Sequence, residues 1–360
     1  MQNPAITHPI HLIKGRGSAT RLAHRFEKDE REPFDDGWAT DAQEAMRLTT
    51  TWTWEEAKSA ISRNTSPDIG FDRSINPYRG CEHGCSYCYA RPSHSYLGLS
   101  PGLDFETRLI AKRGLAERLR HELASPRYQP GLMALGTITD AYQPLDRELR
   151  LTREVLQVLH DCHHPMAVVT KGSGIERDID LLAPMAARGQ AGVYVSVTTL
   201  DAELARRMEP RAAAPWRRLR TIRILADAGI PVGVSVSPQI PFINDDMEQV
   251  LEAARDAGAS SAFYVVLRLP WELSPLFRQW LDLHYPDRAD RVMARMHDLR
   301  GGKDYDASFA TRRSGQGIWA ELIAQRFDKA CRRLGLNRQR HGWNVADFRA
   351  PSMTGQMGLF

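Results

Sequence analysis

Three cysteines stand within eight positions, Cys81, Cys85 and Cys88, in the segment Asn76-Pro77-Tyr78-Arg79-Gly80-Cys81-Glu82-His83-Gly84-Cys85-Ser86-Tyr87-Cys88. The spacing is C-x3-C-x2-C. Thiolates this close can each hold one iron of a cubane cluster, a type of site that ordinarily takes four cysteines. No fourth lies nearby, because Cys162 and Cys331 are isolated. A cube gripped at three corners leaves one iron open, and an open site is a chemical site rather than a structural one. Gly80 and Gly84 would let backbone N–H groups approach the sulfides. The bland alternative is structural zinc held by the same cysteines with His83 or His94. Structural zinc usually shows paired CxxC knuckles, so the spacing favours the cluster.

The chain that must position this loop has 360 residues, of which 42% are apolar and 26% charged. That suits one large α/β unit with added terminal segments. Its net charge of +4 permits a polyanionic substrate without requiring one. No run of about 18 apolar residues suggests a membrane span. Met1 to Arg16 lacks the apolar core of a secretory signal, so a cytoplasmic location is expected. Clustered cysteines in a reducing compartment fit metal binding better than disulfides.

Residues 1–65 read as a polar extension, wrapped on a core or partly disordered. It holds a basic, flexible Lys14–Gly17 stretch and a mixed-charge run from Glu27 to Asp36 that ends in an Asp35-Asp36-Gly37 turn. From about residue 70, short apolar runs alternate with helical patterns. An opening strand is expected near Asp72–Asn76, then strands at Leu132–Leu135, Ala167–Thr170, Gly192–Val197, Pro231–Val236 and Ala262–Leu267. Helices are expected at Arg147–Cys162, Ile175–Arg188, Arg217–Ala228 and Met247–Ala257, with Gly229 and Gly258 as C-caps. Six βα units argue for a parallel sheet with right-handed crossovers, either a curved partial barrel or a flat doubly wound sheet. After Pro270, helices at Leu276–Leu283, Ala289–Leu299 and Ile318–Leu334 are followed by a tail. The expected division is therefore 1–65, 66–270 and 271–360.

The cysteine motif, just after the first expected strand, resembles that of the radical S-adenosylmethionine superfamily. Over about residues 72–270 the similarity is to the branch containing spore photoproduct lyase. It is carried by Asn76–Cys81, Gly136–Pro144, Thr170–Ser173 with Arg177-Asp178, Val195–Thr199 with Met208–Arg211, and Pro238–Asp245. The resemblance implies an α/β fold, a partial (β/α)6 barrel with an N-terminal extension and a helical C-terminal region. It implies a 4Fe–4S cluster on Cys81, Cys85 and Cys88 whose open iron chelates S-adenosylmethionine. Reductive cleavage then gives a 5′-deoxyadenosyl radical, with a flavodoxin or ferredoxin as electron donor.

Each matched segment follows a strand, so all reach one rim, where parallel α/β folds bind ligands. By the resemblance, Tyr87 lies against the adenine, and Lys171 and Ser196 hold the methionyl carboxylate. Thr137, Thr139 and Asp140 stand where the amine-binding segment ends, although the usual Gly-Gly-Glu is missing. Asn244 is expected either to bind the ribose or to cap the helix opening at Asp245. Glu209 and Arg211 read either as functional or as a surface ion pair.

The resemblance implies a lyase-like enzyme and, with the mild basicity, a nucleic-acid or nucleotide substrate, with a peptide or small metabolite as the alternative. Spore photoproduct lyase uses an extra cysteine as hydrogen donor, yet Arg91 to Asp140 contains no cysteine, which argues against spore photoproduct repair as the activity. Tyr89, Tyr142 and Tyr264 are candidate relays. Seven arginines between Arg206 and Arg223 offer either a polyanion-binding patch or a solvated helix face. The glycine-bearing loops Arg300–Tyr305 and Ala310–Gly317 could close over the mouth as a lid. The competing reading is a non-catalytic nucleic-acid-binding protein with a structural iron–sulfur or zinc site.

Overall fold

Runs rich in β-branched residues and buried on both faces favour parallel strands between helices, and the computed structural model shows that arrangement. It describes residues 11–27, 48–339 and 342–352. Along the chain the strands are β1 (Thr51–Glu56), β2 (Ser62–Arg63), β3 (Arg73–Ile75), β4 (Tyr78–Arg79) and β5 (Arg108–Arg113). They continue with β6 (Met133–Leu135), β7 (Met166–Thr170), β8 (Ala191–Ser196), β9 (Val232–Ser235) and β10 (Ser261–Phe263). The main sheet has the order β10-β9-β8-β7-β6-β3-β2. Its six strands from β3 to β10 are parallel, and β2 closes the edge antiparallel to β3. This is the expected α/β sheet of six parallel strands, in the expected chain order.

Most helix expectations hold to within a few residues, with physical reasons for the exceptions. The helix expected over Arg147–Cys162 is two, Asp146–Leu149 and Leu151–Asp161, because Arg150 adopts a left-handed φ of 54°. Ile175–Arg188 opens as a 3-10 turn over Ser173–Asp178 before Ile179–Ala187. Gly229 and Gly258 have φ of 76° and 106°, as C-caps require. The sixth strand is shorter than expected, since only Ser261–Phe263 pairs fully and Val266 bridges Gln239 alone.

The terminal segments are more tightly held than the sequence suggests. β1 pairs parallel to β5 in a second sheet that also contains β4. Lys14–Gly17 is not loose: Arg16 is buried and donates to the carbonyls of Glu106 and Leu48 and to Thr50 Oγ1. The mixed-charge run, from Lys28 through Gly37, lies outside the described residues. The helix Gly317–Leu334 sends Phe327, Ala330 and Cys331 into the same core as the barrel strands. Part of the expected tail docks too. Phe348 packs against Tyr128 and His164, with ring centroids 5.6 and 5.5 Å apart, and Arg349 N–H donates to the Cys162 carbonyl at 2.8 Å.

Two core histidines tie stability to pH. His94 and His164 are fully buried, and burial pushes each pKa down to about 4. The unfolded chain therefore takes up these protons below about 6.5, while the folded chain resists until about 4. The cluster-free protein should lose stability as pH falls from 6.5 to 4, by up to roughly 3 kcal/mol per histidine. Urea denaturation at pH 7 and pH 4.5 checks this; His94→Gln should show a smaller acid loss than the parent, and an equal loss contradicts the assignment.

Candidate radical site

The cysteine loop leaves the end of β3 and β4 and is fixed at each step by backbone. Gly80 and Gly84 hold φ of 77° and 65°, positions where a Cβ is disfavoured. A Cβ on Gly84 would strike the Glu106 carboxylate, and one on Gly80 would meet the His94 ring and the Phe105 carbonyl at 2.8 Å. The glycines thus serve close protein contacts, and the Gly84 N–H donates to the Cys81 carbonyl at 3.3 Å. Cys81 N–H donates to the Phe105 carbonyl at 2.9 Å, and Ser86 N–H to the Met208 carbonyl at 2.9 Å.

Arg91 and Glu106 brace this loop from below. Both are fully buried and pair at 2.7 Å. The Arg91 guanidinium also donates to the carbonyls of Cys85 at 2.9 Å, Gly84 at 3.1 Å and Gly102 at 2.8 Å. Glu106 accepts the N–H groups of Gly17 and Ser18 at 3.0 and 2.9 Å, which straps the N-terminal extension onto the loop. Gln143 holds the other side, accepting from Glu82 N–H at 2.8 Å and donating to the Gly80 carbonyl at 3.2 Å.

The thiols of Cys81 and Cys85 are buried and that of Cys88 half-buried, and all three are free. Burial pushes the Cys81 thiol well up, and Asp140 and Cys85 add to this. Burial likewise pushes Cys85 up to about 12, against the opposing pull of Lys171. Buried thiols that resist ionisation, as those of Cys81 and Cys85 do, need a cationic partner to become thiolates, which a bound metal cluster supplies. Among the described residues no three His, Cys, Asp or Glu side chains converge on a single metal ion. His94 is committed elsewhere, with Nε2 3.1 Å from the Arg108 carbonyl. The donor set fits a cube whose corners are separate irons.

Above the loop lies a buried charge network. Glu209 accepts from Tyr87 Oη, Arg218 Nη2 and, at 2.6 Å, Thr198 Oγ1. Arg218 also donates to the carbonyls of Ser196 at 3.0 Å and Ala213 at 2.6 Å. Burial opposes the Glu209 charge, yet Arg218 and Lys171 hold its pKa below the usual carboxylate range. Burial also works against the Lys171 ammonium, but Cys85 and Glu209 outweigh it and raise its pKa. Lys171 Nζ stands 5.7 Å from the Tyr87 ring centroid. Register places Thr170 opposite Val195, so Lys171 and Ser196 adjoin on neighbouring strand ends. Ser196 is buried.

Other expected ligands spend their polar atoms inside the protein. Asp140 accepts from Tyr142 N–H at 2.9 Å, Thr170 Oγ1 at 2.6 Å and Lys171 N–H at 2.6 Å, and lies 3.3 Å from His83 Nδ1. Thr139 donates to the Tyr78 carbonyl at 3.4 Å, and Thr137 shares a 3.2 Å hydrogen bond with Asn76. Asn244 accepts from Ile240 N–H at 2.8 Å and donates to the carbonyls of Thr198 and Pro238, each at 2.9 Å. It does not cap the following helix, which begins at Met247 after Asp246.

Glu209 and Arg211 are not a surface pair: Glu209 pairs with Arg218, and Arg211 with Glu82 at 2.8 Å. The arginine run is largely consumed as well. Arg207 pairs with Glu203, Arg217 with Glu176, and Arg223 donates to the Asp256 carbonyl. Arg79 is held by Glu55 at 2.9 Å. Of the candidate relays, Tyr142 donates to Asp178 at 3.0 Å, Tyr264 packs against Phe327 in a tilted ring pair with centroids 4.8 Å apart, and Tyr89 donates to the Thr137 carbonyl at the rim.

The family model of the radical SAM superfamily matches residues 75–255, the span that carries the cysteine loop and the four parallel strands β6 to β9. The chain belongs to that superfamily, whose cofactors are a 4Fe–4S cluster and S-adenosylmethionine. It is 34% identical over 238 residues to uncharacterized protein Rv2578c of Mycobacterium tuberculosis (strain ATCC 25618 / H37Rv), covering 65% of this chain and 70% of that one. It is 24% identical over 232 residues to uncharacterized protein MJ0683 of Methanocaldococcus jannaschii, covering 64% and 83%. Its fold is similar to a spore photoproduct lyase variant solved with AdoMet and dinucleoside spore photoproduct. The TM-score there is 0.52 at 14% identity, over 80% of this chain and 79% of that one. Among the described residues no helix is long and apolar enough to cross a membrane.

Removing one partner of a buried ion pair leaves an uncompensated charge, at a cost of about 3–5 kcal/mol. Glu106→Ala should lower the unfolding free energy of the cluster-free chain by that amount, read from denaturant titration. A loss below about 1 kcal/mol, the range of an exposed pair, would show that the brace is dispensable.

Proposed function

We propose that Cys81, Cys85 and Cys88 hold the cluster and that Lys171 and Ser196 hold the carboxylate of S-adenosylmethionine beside its open corner. When bound, the cluster supplies an electron that cleaves the sulfonium and yields a 5′-deoxyadenosyl radical. The observation that carries this reading is the Lys171 ammonium, 5.7 Å from the Tyr87 ring centroid, close enough to Cys85 and Glu209 for both to raise its pKa, and with no hydrogen bond to a described residue. A half-buried cation close enough to Cys85 to interact with it suits an incoming carboxylate. Ser196 adjoins Lys171 on the neighbouring strand end, while Arg218 donates to the Ser196 carbonyl at 3.0 Å.

The remaining rim residues act by positioning. Tyr87 is locked to Glu209, which orients the loop between Cys85 and Cys88. Asp140 joins His83 of the loop to the backbone of Lys171, and Thr137, Thr139 and Asn244 hold their rim segments in place. A flavodoxin- or ferredoxin-type protein is the proposed electron source. The C-terminal loops are the proposed cover for the mouth. Val266 N–H donates to the Arg313 carbonyl at 2.8 Å, and buried Arg300 donates to the carbonyls of Thr311 and Arg312 at 2.9 and 3.0 Å. A covered mouth keeps water from a radical. The fold neighbour bound to a dinucleoside lesion supports a lyase-like reaction on nucleic acid. The cysteine-free stretch Arg91–Asp140 supports a hydrogen donor other than a cysteine at that place.

Anaerobic reconstitution followed by reductant and S-adenosylmethionine should give 5′-deoxyadenosine, measured by chromatography. Cys85→Ala should lose both iron and cleavage; a variant that keeps full iron would remove Cys85 from the ligand set. Lys171→Ala should keep its iron but bind S-adenosylmethionine about tenfold or more weakly, the scale of one lost charged hydrogen bond. Unchanged affinity in calorimetry would take Lys171 out of the carboxylate site.

A further inference from the structure

An unbroken line of rings and guanidinium groups runs from the outer surface to the residue next to Cys88. At its outer end Arg25 lies 4.7 Å from the Phe26 ring centroid, 5.0 Å from Tyr96 and 4.5 Å from Trp271. Glu272, itself buried, locks Arg25 through contacts of 2.7 and 3.0 Å to the guanidinium and 2.9 Å to its N–H. The three rings are therefore set in place by one neutralised arginine. They remain 51%, 70% and 60% exposed for Phe26, Tyr96 and Trp271. Trp271 holds a left-handed φ of 46°, uncommon for so bulky a residue, at the entrance to the helix Leu273–His284.

The line continues inward. Trp271 and Tyr305 have centroids 6.4 Å apart. Arg268 lies 5.8 Å from the Tyr305 ring centroid and 5.2 Å from that of Tyr89. Its Nη2 donates to Tyr305 Oη at 3.1 Å, while its Nε is buried with no hydrogen-bond partner among the described residues. The inner end is also cationic. Arg268, Arg313 and Lys171 all stand close enough to the Tyr89 phenol to act on it electrostatically. The acid beside Arg313, Asp68, gives its carboxylate to Arg312 at 2.6 and 2.7 Å, and Arg313 reaches only its carbonyl.

Exposed rings held in fixed orientation, leading to under-compensated arginines, divide recognition into stacking outside and anion binding inside. We propose that this line is a track for a single-stranded polynucleotide, whose bases stack on Tyr96, Phe26 and Trp271 and whose backbone phosphates meet Arg268 and Arg313 at the mouth. Stacking on aromatic faces tolerates any base, and arginines at the phosphates give strong salt dependence. Rings already ordered by Arg25 lose little side-chain freedom on binding. A duplex hides its base faces and cannot use the outer rings, so the track selects single strands. The proposal deepens the reading above and rests on it in taking Tyr89 as the mouth of the radical site.

The test is fluorescence anisotropy of a labelled oligothymidylate of about twelve nucleotides with the full chain. An abasic oligomer of equal charge and a duplex serve as comparisons. The oligothymidylate should bind at least tenfold more tightly than either. Trp271→Ala and Tyr96→Ala, on different elements, should each weaken it about fivefold or more. Arg268→Gln should lower the salt slope by about one. Equal binding of the abasic oligomer or the duplex, no change in both ring variants, or no binding at low salt overturns the track. Formation of 5′-deoxyadenosine by the unmodified chain without oligonucleotide is scored separately. The track can therefore fail while the radical reading stands, and the reverse.

Discussion

A buried ion pair, Arg91 with Glu106, holds the geometry on which everything else depends. Three thiols cannot order themselves around a common centre, since their thiolate forms repel and their neutral forms attract weakly. The frame must come from elsewhere. Arg91 spreads its fixed fork of donors over the carbonyls of Gly84, Cys85, Pro101 and Gly102 and over Glu106. Glu106 in turn collects the N-terminal strap through Gly17 and Ser18. A buried pair of this kind is weak evidence for net stability, because desolvation offsets much of the attraction. Its contribution here is to fix the backbone of the cysteine loop.

The parallel sheet supplies the second requirement, a rim where several strand ends meet. β6, β7, β8 and β9 deliver Asp140, Lys171, Ser196 and Asn244 to that rim, and the helix Ala202–Met208 that follows β8 brings Glu209 to Tyr87. Lys171, Arg218 and Glu209 together leave an excess of positive charge beside Cys85, which suits thiolates and an incoming carboxylate. The same logic extends outward, where Arg268 and Arg313 face the mouth without a full complement of acids. Charge is thus graded from the surface to the cysteine loop by named side chains, while the chain as a whole is only mildly basic.

The parts of this arrangement that depend on local pattern were readable from residues alone. The cysteine spacing is a local signal, and the six parallel strands follow from apolar runs of the right length between amphipathic helices. Lys171 and Ser196 could be placed because each sits one step past, or at, a strand end. Residue type does not reveal whether a polar group faces a ligand or its own protein. Asp140 and Asn244 therefore read as ligands although their oxygens and nitrogens are spent internally. Glu209 looked like the partner of nearby Arg211, whereas burial selects Arg218, further along on the next helix. The sequence signal for that burial is its flanking Met208 and Pro210. Glu106 and Arg91, separated by an irregular stretch, carried no periodic signal at all. Nor did the docking of Phe348, which depends on a pocket beside Tyr128 and His164 assembled from distant segments.

The central claim is a four-iron cube with three protein thiolates and one iron left for S-adenosylmethionine. Mössbauer spectroscopy of the chain reconstituted with iron-57, recorded with and without S-adenosylmethionine, addresses that iron directly. The account predicts that one of the four iron sites shifts when the cofactor is added and that the other three do not. Four sites that stay equivalent and unmoved, as in a cube ligated at every corner by protein, would contradict it.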